Sequence, residues 1–239
     1  MDMVTIPALH EMKRHGGKIA GVVAWDFQIA QIADRAGVEI ISVGDSAGVH
    51  LWGHSDLSEI TLDEMTIVCK AVRRGTKQAL VSCDVPVCVS ADSAVQAAMR
   101  IVKEGGADMV KLDGAADFPD VVTAIVNAGI PVFAQFELNP RAVDQAKRLE
   151  AAGASLLDFR HSGPVAGPAV VSAVSIPVLG GMGGGPWLDG RIRMVHAAIG
   201  YAASALESKT GSYANVARIT LDALTAYADD VRAGRQIKG

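Results

Sequence analysis

The sequence predicts an α/β fold of repeated strand–helix units wound into a closed parallel barrel, on three observations. Short apolar runs rich in β-branched residues alternate with longer stretches of helical period, the pattern of βα units around a parallel sheet. Three helical stretches pass through glycine directly into the next apolar run, as RAGVEII, EGGADMV and AAGASLL, the joint expected where a helix ends and feeds a buried strand. No linker, low-complexity tract or compositional shift divides the 239 residues, so 1–239 reads as one domain.

Taken in order, IAGVVA (19–24) is a strand, followed by FQIAQIADRAG with apolar residues at helical spacing. EIISVG (39–44) is the second strand, and the helix TLDEMTIVCKAVRRG after it carries its own punctuation: Thr61 with Glu64 forms a capping box and Gly75 marks the end. ALVSCD (79–84) precedes the helix SAVQAAMRIVKEGG, ending at Gly105, and MVKLD (109–113) is the fourth strand. PVFAQF (131–136), the helix PRAVDQAKRLEAAG ending at Gly153, SLLDF (155–159) and PVLGG (177–181) follow. The eighth strand is ambiguous, because RIRMV (191–195) suits a strand or the start of a helix. From Ser212 to Gly239, the apolar positions Val216, Ile219, Leu221, Leu224 and Tyr227 predict a closing amphipathic helix. The whole is a (β/α)8 TIM barrel with a C-terminal helix.

Composition excludes several classes of function. Half the residues are apolar and 20% charged, which excludes a disordered or collagen-like chain. Lys and Arg number 22 against 26 Asp and Glu, and no basic run exceeds Arg73-Arg74, so no nucleic-acid partner is expected. Cys69, Cys83 and Cys88 lack the paired spacing of a zinc site and suit small core residues in a reducing cytosol. No apolar run approaches the roughly 18 residues of a membrane span, and MDMVTIPALHEMKRHGGK lacks the apolar core of a leader. A soluble, cytoplasmic protein with no membrane partner is expected.

Barrel active sites gather at the C-terminal ends of the strands. The polar residues there are Asp26, Asp45, Ser46, Asp84, Lys111, Asp113, Gln135, Glu137 and Arg160 to Ser162. A lone aspartate at a strand end is ordinarily a cap or turn residue. Three at consecutive strand ends, with a lysine inside an otherwise apolar strand, point to a site. Asp45, Asp84 and Asp113 supply hard oxygens, which suit Mg²⁺ better than Zn²⁺. Lys111 shares the inward face of Asp113 by the period of two, so it either meets an anionic substrate beside the cation or forms a salt bridge inside the barrel.

The strings also resemble a known family. VTIPALHEMKRHGGKI, VVAWD, VGDSAGVHLWGH (43–54), SEITLDEMTIVCKAVRRG, ALVSCDVPVCVS, VKLDGA, IPVLGGMGGG and AYADDVRAG are similar to stretches of the ketopantoate hydroxymethyltransferase (3-methyl-2-oxobutanoate hydroxymethyltransferase) family of pantothenate synthesis. The likeness covers nearly the whole chain. It implies a barrel of the phosphoenolpyruvate/pyruvate class, in which Mg²⁺ holds a small-molecule 2-oxo acid. In that family the enolate attacks the one-carbon unit of 5,10-methylenetetrahydrofolate. By the same resemblance Asp45 and Asp84 match metal-binding aspartates, Ser46 a serine contacting the substrate carboxylate, and Lys111 the substrate-binding lysine. Asp113 stands at a metal-shell glutamate, and a large homo-oligomer is implied.

Departures from the family fall at the same strand ends. Arg160, in DFRHSGP, stands at the family's catalytic glutamate. Gln135 and Glu137, in AQFELNP, replace a histidine and a glycine, and the chain runs from Asn139-Pro140 straight into the next helix without the family's longer loop. Gln135 and Glu137 share a strand face, so a carboxylate missing from one strand end is present at another. Glu137 is therefore the expected general base. Arg160 either binds an extra anionic group of the substrate or pairs with Asp158 or Glu137. The expected activity is Mg²⁺-dependent enolisation and hydroxymethyl transfer. A carbon–carbon lyase of the isocitrate lyase/phosphoenolpyruvate mutase type acting on a dicarboxylate, or a silent binding homologue, are the alternatives. The glycines of LGGMGGG (179–185) suit a tight loop at the substrate or an anion cradle. His50 and His54 flank Trp52 in a loop that suits a lid, a subunit contact or a catalytic part, Trp25 packs, and His161 alternates away from the barrel axis unless the strand has ended and the loop folds it back.

Overall fold

The structure is a computed structural model that describes residues 3–86, 90–182, 184–207 and 212–232, with side chains to 226. Cys88, Gly183 and the side chain of Tyr227 lie outside the described residues. The chain divides into two compact units, Met1–Ile192 and Arg193–Gly239.

The strands are β1 (Ile19–Val23), β2 (Ile40–Val43), β3 (Leu80–Asp84), β4 (Met109–Leu112), β5 (Val132–Glu137), β6 (Leu156–Arg160), β7 (Val178–Gly180) and β8 (Gly190–Met194). They are neighbours in sequence order and close into a barrel. The ambiguous eighth segment is a strand: Gly190 and Ile192 are buried while Arg191 and Arg193 are exposed, the period of two that a helix cannot keep. Glycine is required at its start, since a Cβ on Gly190 would lie 2.2 Å from the carbonyl oxygen of Ile19. The Ile19 N–H donates to the Asp189 carbonyl at 2.9 Å across this junction.

Helix α1 (Ile6–Arg14) precedes β1, and α2 (Phe27–Arg35), α3 (Leu62–Gly75), α4 (Ala91–Arg100), α5 (Pro119–Asn127), α6 (Ala142–Ala151) and α7 (Gly163–Ala173) occupy the connections from β1 to β7. The capping box of α3 is reciprocal: the Glu64 N–H donates to Thr61 Oγ1 at 3.2 Å and the Thr61 N–H to Glu64 Oε2 at 2.8 Å. Gly75 and Gly105 each close a helical segment, as expected. Gly75 makes no left-handed turn; its missing side chain admits α2, since a Cβ there would stand 2.6 Å from the Phe27 carbonyl oxygen. The left-handed turn after Gly105 is made by Gly106, with φ at +79°, while Gly105 abuts Cys69.

The barrel floor is one apolar residue from each strand, Ile19, Ile40, Leu80, Met109, Phe133, Leu156, Leu179 and Ile192, packed with Leu9 of α1. Leu9 is fully buried. Replacing Leu9 with alanine is expected to cost about 2–5 kcal/mol, the range for a buried leucine that leaves a cavity, read from urea unfolding. A loss under about 1 kcal/mol would mean that the floor collapses around the gap.

In the second unit, α8 (Val195–Ile199) leads through Gly200 to α9 (Val216–Arg232), the C-terminal helix expected from the sequence. The Tyr213 N–H donates to the Ala198 carbonyl and the Ala217 N–H to that of Gly200, both at 2.8 Å. Ile219, Leu221 and Leu224 are exposed. Among the described residues no helix is long and apolar enough to cross a membrane.

Candidate active site

Counting by two up from the floor residues of β2 to β6 changes the chemistry of the barrel interior. The next inward positions are Ser42, Ser82, Lys111, Gln135 and Asp158, all polar and buried. At the strand ends stand Asp84, Asp113 and Arg160, with Asp45 in the turn after β2. Register places Asp84 beside Lys111 across β3 and β4, and Gln135 beside Asp158 across β5 and β6.

Carboxylate oxygens of Asp45, Asp84 and Asp113 lie within 4.8 Å of one another. The Lys111 ammonium stands 3.3 Å from Asp84 Oδ1 and 4.0 Å from Asp158 Oδ2, and donates to Asp113 Oδ1. Arg160 Nη2 donates to Asp113 Oδ2 at 2.9 Å, and its Nε lies 3.4 Å from Asp158 Oδ2. Asp158 Oδ1 in turn accepts from the Gly181 N–H at 2.8 Å. The Asp45 N–H donates to Asp84 Oδ2 at 3.2 Å. Gln135 Oε1 accepts from the Gly114 N–H at 2.7 Å, which holds the left-handed turn that follows Asp113.

Burial and charge pull these groups apart. Burial, reinforced by the neighbouring Asp113 and Asp45, pushes Asp84 up to about 7 against the partial relief from Lys111. Burial also raises Asp45, helped by the Asp113 charge. Burial acts upward on Asp113 as well, but Lys111 and Arg160 outweigh it and leave its carboxyl below the usual range. Burial would lower Lys111, yet Asp84, Asp113 and Asp158 hold it above the ordinary lysine value. The lysine is a firmly protonated donor.

The residues present fit a divalent cation. Four carboxylates, Asp45, Asp84, Asp113 and Asp158, meet two cations, Lys111 and Arg160, so the fully ionised cluster has two negative charges in excess. Asp84 Oδ1 is buried without a hydrogen bond, with the Lys111 ammonium 3.3 Å away, so a second cation would further offset the cost of burying this carboxylate. An all-oxygen donor set matches Mg²⁺.

Other residues singled out from sequence lie as follows. Glu137 is exposed at the end of β5, and Arg160, its neighbour in register, turns instead to Asp113 and Asp158. Ser46 is half-buried in the turn carrying Asp45. Asp26 is a cap, accepting from the Ile29 N–H at 2.9 Å. Trp25 is buried and stacks on His50 with centroids 5.3 Å apart. His161 follows the end of β6 in the left-handed region, at φ 56°, and is exposed. The glycine-rich segment is a tight loop: a Cβ on Gly180 would lie 2.4 Å from Leu188 Cδ1, and one on Gly185 2.4 Å from the Trp187 ring. Sequence reasoning met Asp158 only as a partner for Arg160, although an acid inside the apolar run SLLDF was itself the signal of an inward polar layer.

A (β/α)8 barrel with its buried ionisable cluster at the C-terminal strand ends is, as a class, a barrel enzyme. The family model for ketopantoate hydroxymethyltransferase matches residues 3–146 and 141–236, and the chain belongs to that family. The two matched segments overlap over 141–146, just after Asn139-Pro140. The 3-methyl-2-oxobutanoate hydroxymethyltransferase of Moorella thermoacetica is 37% identical over 97% of this chain and 94% of its own. That of Chloroflexus aurantiacus is 35% identical over 97% and 89%. Among solved structures, 2,3-dimethylmalate lyase, a phosphoenolpyruvate mutase/isocitrate lyase superfamily member, has TM-score 0.68 at 16% identity over 96% of this chain and 99% of that one. Oxaloacetate acetylhydrolase has TM-score 0.68 at 12% identity over 96% and 87%. These structures share the fold.

Proposed function

We propose that the chain enolises a 2-oxo acid and adds a one-carbon unit to it, the hydroxymethyl transfer for which its relatives are named. The observation that carries the reading is the convergence of Asp45, Asp84 and Asp113 to within 4.8 Å beside the buried Lys111. Those three carboxylates would hold Mg²⁺, which when bound supplies positive charge against the negative charge that develops on an enolate oxygen. Lys111 is held protonated by three surrounding acids and donates to the oxygens of the oxo acid. Ser46 binds the substrate carboxylate, and Gln135 contributes to the substrate pocket while keeping the Asp113–Gly114 turn in place. Glu137 takes the proton from C3; its exposure at the end of β5 supports an accessible base. The one-carbon donor 5,10-methylenetetrahydrofolate and homo-oligomeric assembly rest on the family. A cytoplasmic location agrees with the free, buried thiols of Cys69 and Cys83.

Proton NMR in D₂O tests this. The C3 proton of 3-methyl-2-oxobutanoate should exchange only with protein and Mg²⁺ present, and addition of EDTA should stop it. Glu137→Gln should slow exchange by about 10²-fold or more, the usual contribution of a general base. Folded protein that catalyses no exchange with Mg²⁺ would overturn the reading, and full exchange in Glu137→Gln would remove that residue from it.

A further inference from the structure

We infer that Arg160 selects a 2-oxo acid bearing a second carboxylate, so that this chain prefers 2-oxo dicarboxylates over alkyl 2-oxo acids; the inference rests on the 2-oxo acid site proposed above. Arg160 ends β6 and adjoins the carboxylate triad through its bond to Asp113. Of its three guanidinium nitrogens, Nη2 is engaged by Asp113 and Nε by Asp158. Nη1 makes no hydrogen bond to a described residue, and the side chain is 23% exposed. The guanidinium thus offers an open N–H edge at the barrel mouth.

An arginine serving only to balance internal charge would have no need of that edge. The other cation at the site, Lys111, is the one assigned above to the oxo acid itself; with a side chain only 5% exposed beside Asp84, Asp113 and Asp158 it presents no edge at the barrel mouth to a second carboxylate. Arg160 is also held in place. Its Nε rests against Asp158, which is buried and itself fixed by the Gly181 N–H. A preorganised, half-open guanidinium beside an oxo acid site matches a planar carboxylate in a charge-assisted pair. An alkyl group in the same place would strip water from Nη1 without replacing its hydrogen bond, so the residue discriminates in both directions.

Calorimetric titration with Mg²⁺ present tests the inference on two matched pairs, 2-oxoglutarate against 2-oxopentanoate and oxaloacetate against 2-oxobutanoate. Within each pair only the terminal carboxylate differs. In at least one pair the diacid should bind about 10- to 100-fold more tightly, the worth of a hydrogen-bonded charge pair. Arg160→Gln should abolish that preference while Mg²⁺ binds no more weakly, since a positive neighbour of Asp113 is gone. Arg160→Lys should restore part of the preference. Asp158→Asn, which frees Arg160, should weaken binding of the diacid more than that of the monoacid in the same titrations. If Arg160→Gln fails to fold by circular dichroism, the wild-type pairs and Arg160→Lys decide the matter. Equal affinity within both pairs, or a preference that survives Arg160→Gln, overturns the inference. Binding of the monoacids alone overturns it and leaves the oxo acid site standing; folded protein that binds none of the four acids overturns both.

Discussion

Lys111→Met should lose about 10²–10³-fold in turnover, the usual consequence of deleting one donor to a developing oxyanion, while binding Mg²⁺ at least as tightly as the unaltered chain. The two effects separate because Lys111 is related differently to the two ligands. Toward the carboxylates it competes with a metal, standing 3.3 Å from Asp84 Oδ1 and donating to Asp113, so its removal leaves the acids more negative. Toward substrate it acts, on the function proposed above, as a buried donor. Stability responds as well: removing one partner from a buried ionic cluster costs about 3–5 kcal/mol, because the remaining charges are left uncompensated. That loss should shrink when Mg²⁺ is added. Turnover and metal titration on the same folded preparation check the split. A variant that loses Mg²⁺ along with activity would give Lys111 a structural part only.

How far this site was legible in the sequence depends on whether the information is local. Asp45, Asp84 and Asp113 were readable because each lies at or just past the end of an apolar run, Lys111 because it interrupts one, and a strand's period of two says which residues share a face. The same rule pointed to Asp158 and Arg160 as neighbours on β6, and the structure places them 3.4 Å apart. The pairing of Arg160 with Asp113 was not readable. Those residues lie on β6 and just after β4, with β5 between them, and what one side chain reaches across a barrel depends on stagger and curvature that no single segment encodes. Glu137 illustrates the converse. Its place on the face of Gln135 was predicted, but the strand ends there and the side chain emerges into solvent.

Fold legibility followed the same division. Strands fed by glycine-closed helices were found within a residue or two, because buried parallel strands are nearly continuous apolar runs. β8 was obscured by Arg191 and Arg193, which are exposed and mask the alternation of Gly190 and Ile192. The identity of the glycine that turns the chain after α4 was decided by packing against Cys69, a long-range contact. Closure of the floor by Leu9 depends on α1, which precedes the repeating units and carries no barrel signal of its own.

Affinity for Mg²⁺ should fall steeply as pH drops below about 7, by up to about tenfold per pH unit, because the ligand must shed a proton to bind the metal. The responsible group is Asp84, pushed up to about 7 mainly by burial. Its effect on folding has a definite sign. Between the ordinary aspartate value of 3.8 and about 7, the metal-free native state holds a proton that the unfolded chain has released, so stability declines as pH rises through that window. On this group's account the metal-free protein is most stable below about pH 4 and least stable above neutrality, where the carboxylate is ionised and buried. Mg²⁺ opposes the decline by completing the charge that burial disfavours. The rise in Tm produced by Mg²⁺ should therefore grow from pH 5 to 8. Asp84→Asn should flatten the metal-free slope and abolish tight metal binding, since an amide adds neither charge nor a proton to release. Thermal unfolding across that range, with and without Mg²⁺, makes the comparison. A metal-induced shift in Tm that is independent of pH in the unaltered chain would mean that Asp84 is not a ligand.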